Sequence, residues 1–136
     1  MKYLKILGET PSKKNCRITL KNGKSIVSAR YRKWHEYACS QLLGYSKNMI
    51  DKECYIILHF IHGDNIRRDS DNGVSSIFDT LQDMKILSDD RWQIIKSHIV
   101  FNSYQQKQPC CEIRIYEKSE KDLYSRDILE MLKNFC

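Results

Sequence analysis

The chain has 136 residues, 41% of them apolar and 29% charged, and its 23 Lys and Arg against 17 Asp and Glu give a net charge of +6. One domain with a single packed core fits that length, and the balance of apolar and charged residues argues against both a disordered chain and a membrane-embedded one. The longest apolar run, around Tyr55 to Ile61, falls far short of the roughly 20 residues a spanning helix needs. The opening segment MKYLKILGETPSKK has no sustained apolar region followed by a small-residue cleavage site, so a cytoplasmic protein without a membrane partner is expected.

Cys16, Cys39, Cys54, Cys110, Cys111 and Cys136 form no C-x-x-C pair, and reduced thiols packed as small hydrophobes are expected rather than a disulfide framework or structural zinc. Adjacent Cys110 and Cys111 point to opposite faces if they lie on a strand. Charge is unevenly spread. Residues 1–35 hold ten basic side chains and one acid, Glu9, a local net of +9, which leaves the remainder at −3. Such a basic third, interleaved with Tyr31 and Trp34, has the character of a polyanion-binding face, because Lys and Arg gain affinity for phosphates by releasing condensed counterions. A solvated basic surface with its aromatics in the core is the plainer alternative.

In chain order, Tyr3 to Leu7 reads as a short strand and Gly8 to Asn15 as a loop. Asn22-Gly23 between Arg17–Leu20 and Lys24–Val27 predicts a hairpin with a type I′ turn. Ser28 then caps a helix whose Tyr31, Trp34, Ala38 and Leu42 form one stripe, ending near Gly44. Tyr55 to His62 predicts a central strand buried on both faces. From Asp71 the period changes: Val74, Ile77, Phe78, Leu81 and Met84 make the apolar face of a helix capped by Ser70 or Asp71. Ile94 to Phe101 and Cys111 to Tyr116 follow as strands, with Trp92 expected as a core anchor. Ser119 and Asp122 have the spacing of a capping box that opens a last helix through Leu123, Ile128, Leu129 and Leu132. Strands and helices mingle without a regular βαβ rhythm, so an α+β domain with a mixed or antiparallel sheet is expected.

The segment RRDSDNGVSSIFDTLQDMKILSDD, residues 67–90, carries the chemistry. Asp69 and Asp71 are two apart and can point the same way where extended backbone enters the helix. Ser75 and Asp79 lie one and two turns further along its polar face. Asp89 and Asp90 follow the helix. Carboxylates that converge need a cation between them, because like charges at close range are costly. Hard oxygen ligands suit Mg²⁺ or Mn²⁺, which leave coordination positions for water and a substrate phosphate. The bland alternative is an acidic helix N-terminus favoured by the helix dipole. His59 and His62 differ by an odd step on a strand and face opposite ways, while His35 and His98 stand as lone histidines with no serine or cysteine nucleophile paired to them.

The order PSKKN (11–15), GKSIVSARYRKW (23–34), RDSDN (68–72), FDTLQ (78–82) and DD (89–90) resembles the RusA family of Holliday-junction resolvases. The resemblance implies a small α+β homodimer, helices mainly on one face of its sheet, that binds four-way DNA junctions and with Mg²⁺ nicks two strands of like polarity. It implies metal-binding catalytic carboxylates at Asp69, Asp71 and Asp90, with Asn72 and Asp89 beside them and Lys14 and Asn15 in a loop near the DNA. Lys13, Arg17, Arg67 and Arg68 complete the basic residues expected at the nucleic acid. The family carries a lysine where this chain has Ser75, and a serine hydroxyl cannot stabilise transition-state charge as an ammonium would. Lys13, Lys14, Arg67, Arg68, Lys85 and Lys96 are the candidate replacements. A junction-binding protein with impaired chemistry is therefore the alternative, and a basic module for RNA or a protein partner is a third.

Overall fold

The computed structural model describes residues 1–45 and 47–136. Along the described residues run β1 (Lys2–Leu7), β2 (Arg17–Thr19), β3 (Ser25–Val27), α1 (Ala29–Gln41), β4 (Cys54–His62), α2 (Val74–Asp83), β5 (Ile95–Tyr104), β6 (Cys110–Glu117), a 3-10 turn at Lys118–Glu120 and α3 (Lys121–Phe135). Four strands form one mixed sheet in the order β1-β6-β4-β5, and β2 and β3 form a separate hairpin. This is the expected α+β class. No helix among the described residues is long and apolar enough to cross a membrane.

β4 sits between β6 and β5, which is why its sequence is almost continuously apolar. Its pairing with β5 is parallel, and a parallel neighbour requires a crossover. α2 supplies that crossover, so one βαβ unit is embedded in an otherwise antiparallel arrangement. Tyr31, Trp34 and Ala38 of α1 and Ile77, Phe78 and Leu81 of α2 pack with Leu4, Ile6, Ile56, Leu58 and Ile113 on one face of the sheet. Tyr124 and Met131 of α3 cover the other face over Tyr55, Ile57, Phe101 and Tyr116. Two helices thus lie on one side and one on the other.

Several local expectations are corrected. In the β2–β3 hairpin only Gly23 has a positive φ, +82°, and its amide donates to the Leu20 carbonyl at 2.9 Å. That is a type I turn followed by a left-handed glycine, not a type I′ turn. α2 is capped by neither Ser70 nor Asp71: its N-cap is Gly73, with no side-chain cap, because residues 69–73 are already wound into turns. The box that opens the last helical segment pairs Glu117 with Glu120, not Ser119 with Asp122. Trp92 is 71% exposed with the Lys96 ammonium 4.7 Å from its ring centroid, and Ile94 and Ile95 take the core place expected for it. Leu129 and Leu132 are exposed, and Tyr124 and Met131 form the inner stripe of α3 instead.

Gly73 is the N-cap of α2, a position where glycine is preferred over alanine. A Cβ there would stand 2.8 Å from Phe60 Cε1 and 2.9 Å from Thr10 Cγ2. Close approach of α2 to β4 and to the 8–15 loop therefore selects the residue. Gly73→Ala is expected to lower stability by about 1–3 kcal/mol through overpacking, read as a fall in the urea midpoint; an unchanged or raised midpoint would show that the close approach does not constrain this position.

Candidate metal and nucleic-acid cleft

The two connections of the crossover carry the acids. After β4 the chain is pinned by Arg68, whose guanidinium donates to Asp64 at 2.6 and 3.2 Å and lies 3.5 Å from Glu9. The hydrogen bond from Arg68 holds the Asp64 carboxyl below its ordinary pKa. The Asn102 amide also donates to the Ser70 carbonyl at 3.2 Å. The Asp69 carbonyl then accepts from the Asn72 amide and the Asp71 carbonyl from the Val74 amide, at 3.2 and 3.1 Å. At the far end of α2, Lys85 takes a left-handed conformation, φ +55°, in a Schellman closure: its amide donates to the Gln82 carbonyl and the Ile86 amide to the Leu81 carbonyl. Ile50 holds the next stretch from both sides through Ile50 N to Ile86 O and Ser88 N to Ile50 O, each 2.9 Å. These contacts fix where Asp89 and Asp90 emerge.

The basic wall is clipped to the same helix. Ser76, fully buried on α2, donates its hydroxyl to the Pro11 carbonyl at 2.6 Å and accepts from the Lys13 amide at 3.1 Å. Asn15 donates through Nδ2 to Asn72 Oδ1 at 3.4 Å, joining the loop to the acidic turn. Arg17 is braced by Ser25, at 2.9 Å to its hydroxyl and 3.0 Å to its carbonyl.

A cleft of about 690 Å³ results, lined by Asp69, Asp71, Asn72, Ser75 and Asp90 and by Lys13, Lys14, Asn15 and Arg17. Acids from both sides of α2 thus face the basic loop in one hollow. Among the described residues no hydrogen bond or ion pair within the chain engages the side chains of Asp69, Asp71 or Asp90. All three offer hard carboxylate oxygens, a donor set that fits Mg²⁺ or Mn²⁺. Among the described residues, the ligand atoms of these three do not all lie within 4.8 Å of one another.

Other expected members lie elsewhere. Asp79 does not line the cleft. It turns toward α1, where one of its oxygens accepts from Lys13 Nζ at 3.1 Å and from the Tyr31 hydroxyl at 3.2 Å. Burial and the neighbouring Asp79 carboxylate push the Tyr31 hydroxyl above its ordinary pKa and keep it a donor. Arg67 and Arg68 line an adjoining hollow of about 440 Å³ that shares Asp69 with the cleft. Asp89 sits beside the cleft, accepting from the Asp90 amide at 2.8 Å. Of the candidate replacement cations, Lys13 and Lys14 line the cleft, whereas Lys85 and Lys96 line neither hollow.

Two clusters escaped sequence reading. His35, Asp79 and Asp83 bring their ligand atoms within 4.8 Å of one another between α1 and α2, making a group able to hold a metal ion. Its signal was the one-turn spacing of Asp79 and Asp83; the polar-face reading places only Asp79 there and does not single out Asp83. His59, Ser103 and Glu112 form a second group: His59 Nε2 lies 2.8 Å from Ser103 Oγ and Nδ1 3.5 Å from Glu112. A serine does therefore pair with a histidine here. His59 is 1% exposed, its ring is covered by Phe135, and burial lowers its pKa, so the group is a buried polar clip under α3. No protein-family model matches the chain, and no curated protein does.

Ser76→Ala would strand the Pro11 carbonyl and the Lys13 amide together. The expected result is a loss of about 1–3 kcal/mol with faster amide exchange at Lys13 to Asn15; exchange rates unchanged from wild type would show that this hydroxyl does not hold the basic loop.

Proposed function

We propose that the chain is a Mg²⁺-dependent, structure-selective endodeoxyribonuclease that acts on four-way DNA junctions as a homodimer. The observation that carries this reading is the cleft itself: Asp69, Asp71 and Asp90, without hydrogen-bond or ion-pair partners among the described residues, line it together with Lys13, Lys14 and Arg17. A phosphodiester and a divalent cation together would neutralise both walls of this cleft. The order of motifs shared with the RusA resolvases supports the same reading.

In this proposal Asp69, Asp71 and Asp90 hold the ion. When bound, Mg²⁺ supplies charge neutralisation at the scissile phosphate and activation of the attacking water. Lys14 and Arg17 bind the phosphate backbone, and the Asn15 to Asn72 hydrogen bond keeps the DNA-facing loop in register with the acids. A two-fold pair of sites would deliver two nicks related by symmetry.

Ser75 favours a second reading. It lines the cleft where an ammonium would be useful, and of the two lysines that line it, Lys13 is held by Asp79. A junction-binding protein with weak or absent nicking follows from that.

The expected outcome with a synthetic four-way junction is paired nicking in Mg²⁺ that stops in chelator and is absent on matched linear duplex. Asp71→Asn is expected to slow nicking by on the order of 10²-fold or more while junction binding persists. Equal cutting of both substrates, or cutting in chelator, contradicts the nuclease. Tight junction binding without nicking, rescued by Ser75→Lys, establishes the second reading in its place.

A further inference from the structure

The His35 cluster is a separate piece of chemistry. α1 carries His35 and Cys39, α2 carries Asp79 and Asp83, and each pair is one helical turn apart, so each helix presents two donors on one face. The two faces meet: His35 Nε2 lies 2.8 Å from Asp83 Oδ2 and 3.6 Å from Cys39 Sγ.

Hydrogen bonding fixes which imidazole nitrogen is available. Thr80, fully buried, donates its only hydroxyl proton to the Ser76 carbonyl at 2.9 Å, so toward His35 Nδ1, 3.1 Å away, it can only accept. Nδ1 is then the nitrogen that donates to Thr80, and Nε2 is the nitrogen that faces the carboxylates. An N–H held by an acceptor while the other nitrogen faces carboxylate oxygens is the support that metal-binding histidines use. Stacking on Tyr31, with centroids 5.7 Å apart and planes 13° from parallel, holds the ring in that orientation. Asp79 uses a single oxygen for both Lys13 and Tyr31, which leaves its Oδ1 without a partner among the described residues.

We propose that His35, Asp79 and Asp83 form a second divalent-metal site that clamps α1 to α2, distinct from the acidic cleft and independent of the nuclease reading. One imidazole nitrogen with two carboxylate oxygens selects a first-row transition ion over Mg²⁺, which prefers an all-oxygen shell. Water completes the coordination on the solvent side, where Asp83 is exposed. The alternative occupant of the gap is a proton, which makes His35 and Asp83 an ordinary ion pair.

Co²⁺ distinguishes the two. The chain has two tryptophans, and Trp34 lies 6.4 Å from His35, so Trp92→Phe leaves a single emitter beside the site. In this background Co²⁺ is expected to quench Trp34 saturably at one ion per chain, to raise the melting temperature, and to resist a large excess of Mg²⁺. Adding Asp83→Asn, an exposed and nearly isosteric change, should weaken the Trp34-quenching binding at least about tenfold and remove the thermal shift that persists in excess Mg²⁺. Adding Asp69→Asn with Asp71→Asn should leave the Co²⁺ affinity unchanged, which separates this site from the cleft. Absence of saturable quenching, quenching that survives Asp83→Asn, or quenching lost with the cleft acids overturns the proposal.

Discussion

Like charges set the terms for this molecule. Asp69 and Asp71 enter from one side of α2 and Asp90 from the other, and among the described residues their side chains have no hydrogen-bond or ion-pair partner. Holding three carboxylates in one hollow is unfavourable unless positive charge stands opposite. The strongly basic first 35 residues provide it, folded so that Lys13, Lys14 and Arg17 form the facing wall. The parallel pairing of β4 with β5 makes this meeting possible, because it forces a crossover whose two connections flank one short helix.

α2 therefore serves three neighbours. Ile77, Phe78 and Leu81 are in the core, Ser75 looks into the cleft, and Ser76, Asp79, Thr80 and Asp83 face the basic loop and α1. The polar side of an amphipathic helix is usually solvated; here much of it is buried in hydrogen bonds, with Ser76 and Thr80 fully enclosed. Lys13 links the two polar regions, lining the cleft while pairing with Asp79. A cation bound at Asp79 would compete with that ammonium, so events between α1 and α2 reach the cleft through one side chain.

Much of the architecture was legible from periodicity. β1, β4, α1 and α2 lie within a few residues of their expected positions, since each has a strong apolar pattern and α1 has its serine cap. Failures cluster where several local solutions compete. Asn-Gly suits more than one hairpin turn, and Glu117 and Glu120 outcompeted Ser119 and Asp122 for the same box. Trp92 was misplaced because size favours burial, yet two isoleucines immediately after it fill the available core. Of the site, sequence could bring Asp69, Asp71, Asp90, Lys13, Lys14, Asn15 and Arg17 to one region. It could not give the rotation of α2 about its axis, which sends Asp79 to α1 and builds the His35 cluster from residues 44 positions apart.

The most direct measurement is anomalous diffraction from crystals of the full chain soaked in Mn²⁺. The account predicts a peak in the cleft bound by carboxylate oxygens of Asp69, Asp71 and Asp90, and lost in Asp71→Asn crystals. A cleft without anomalous density at saturating Mn²⁺ would contradict it.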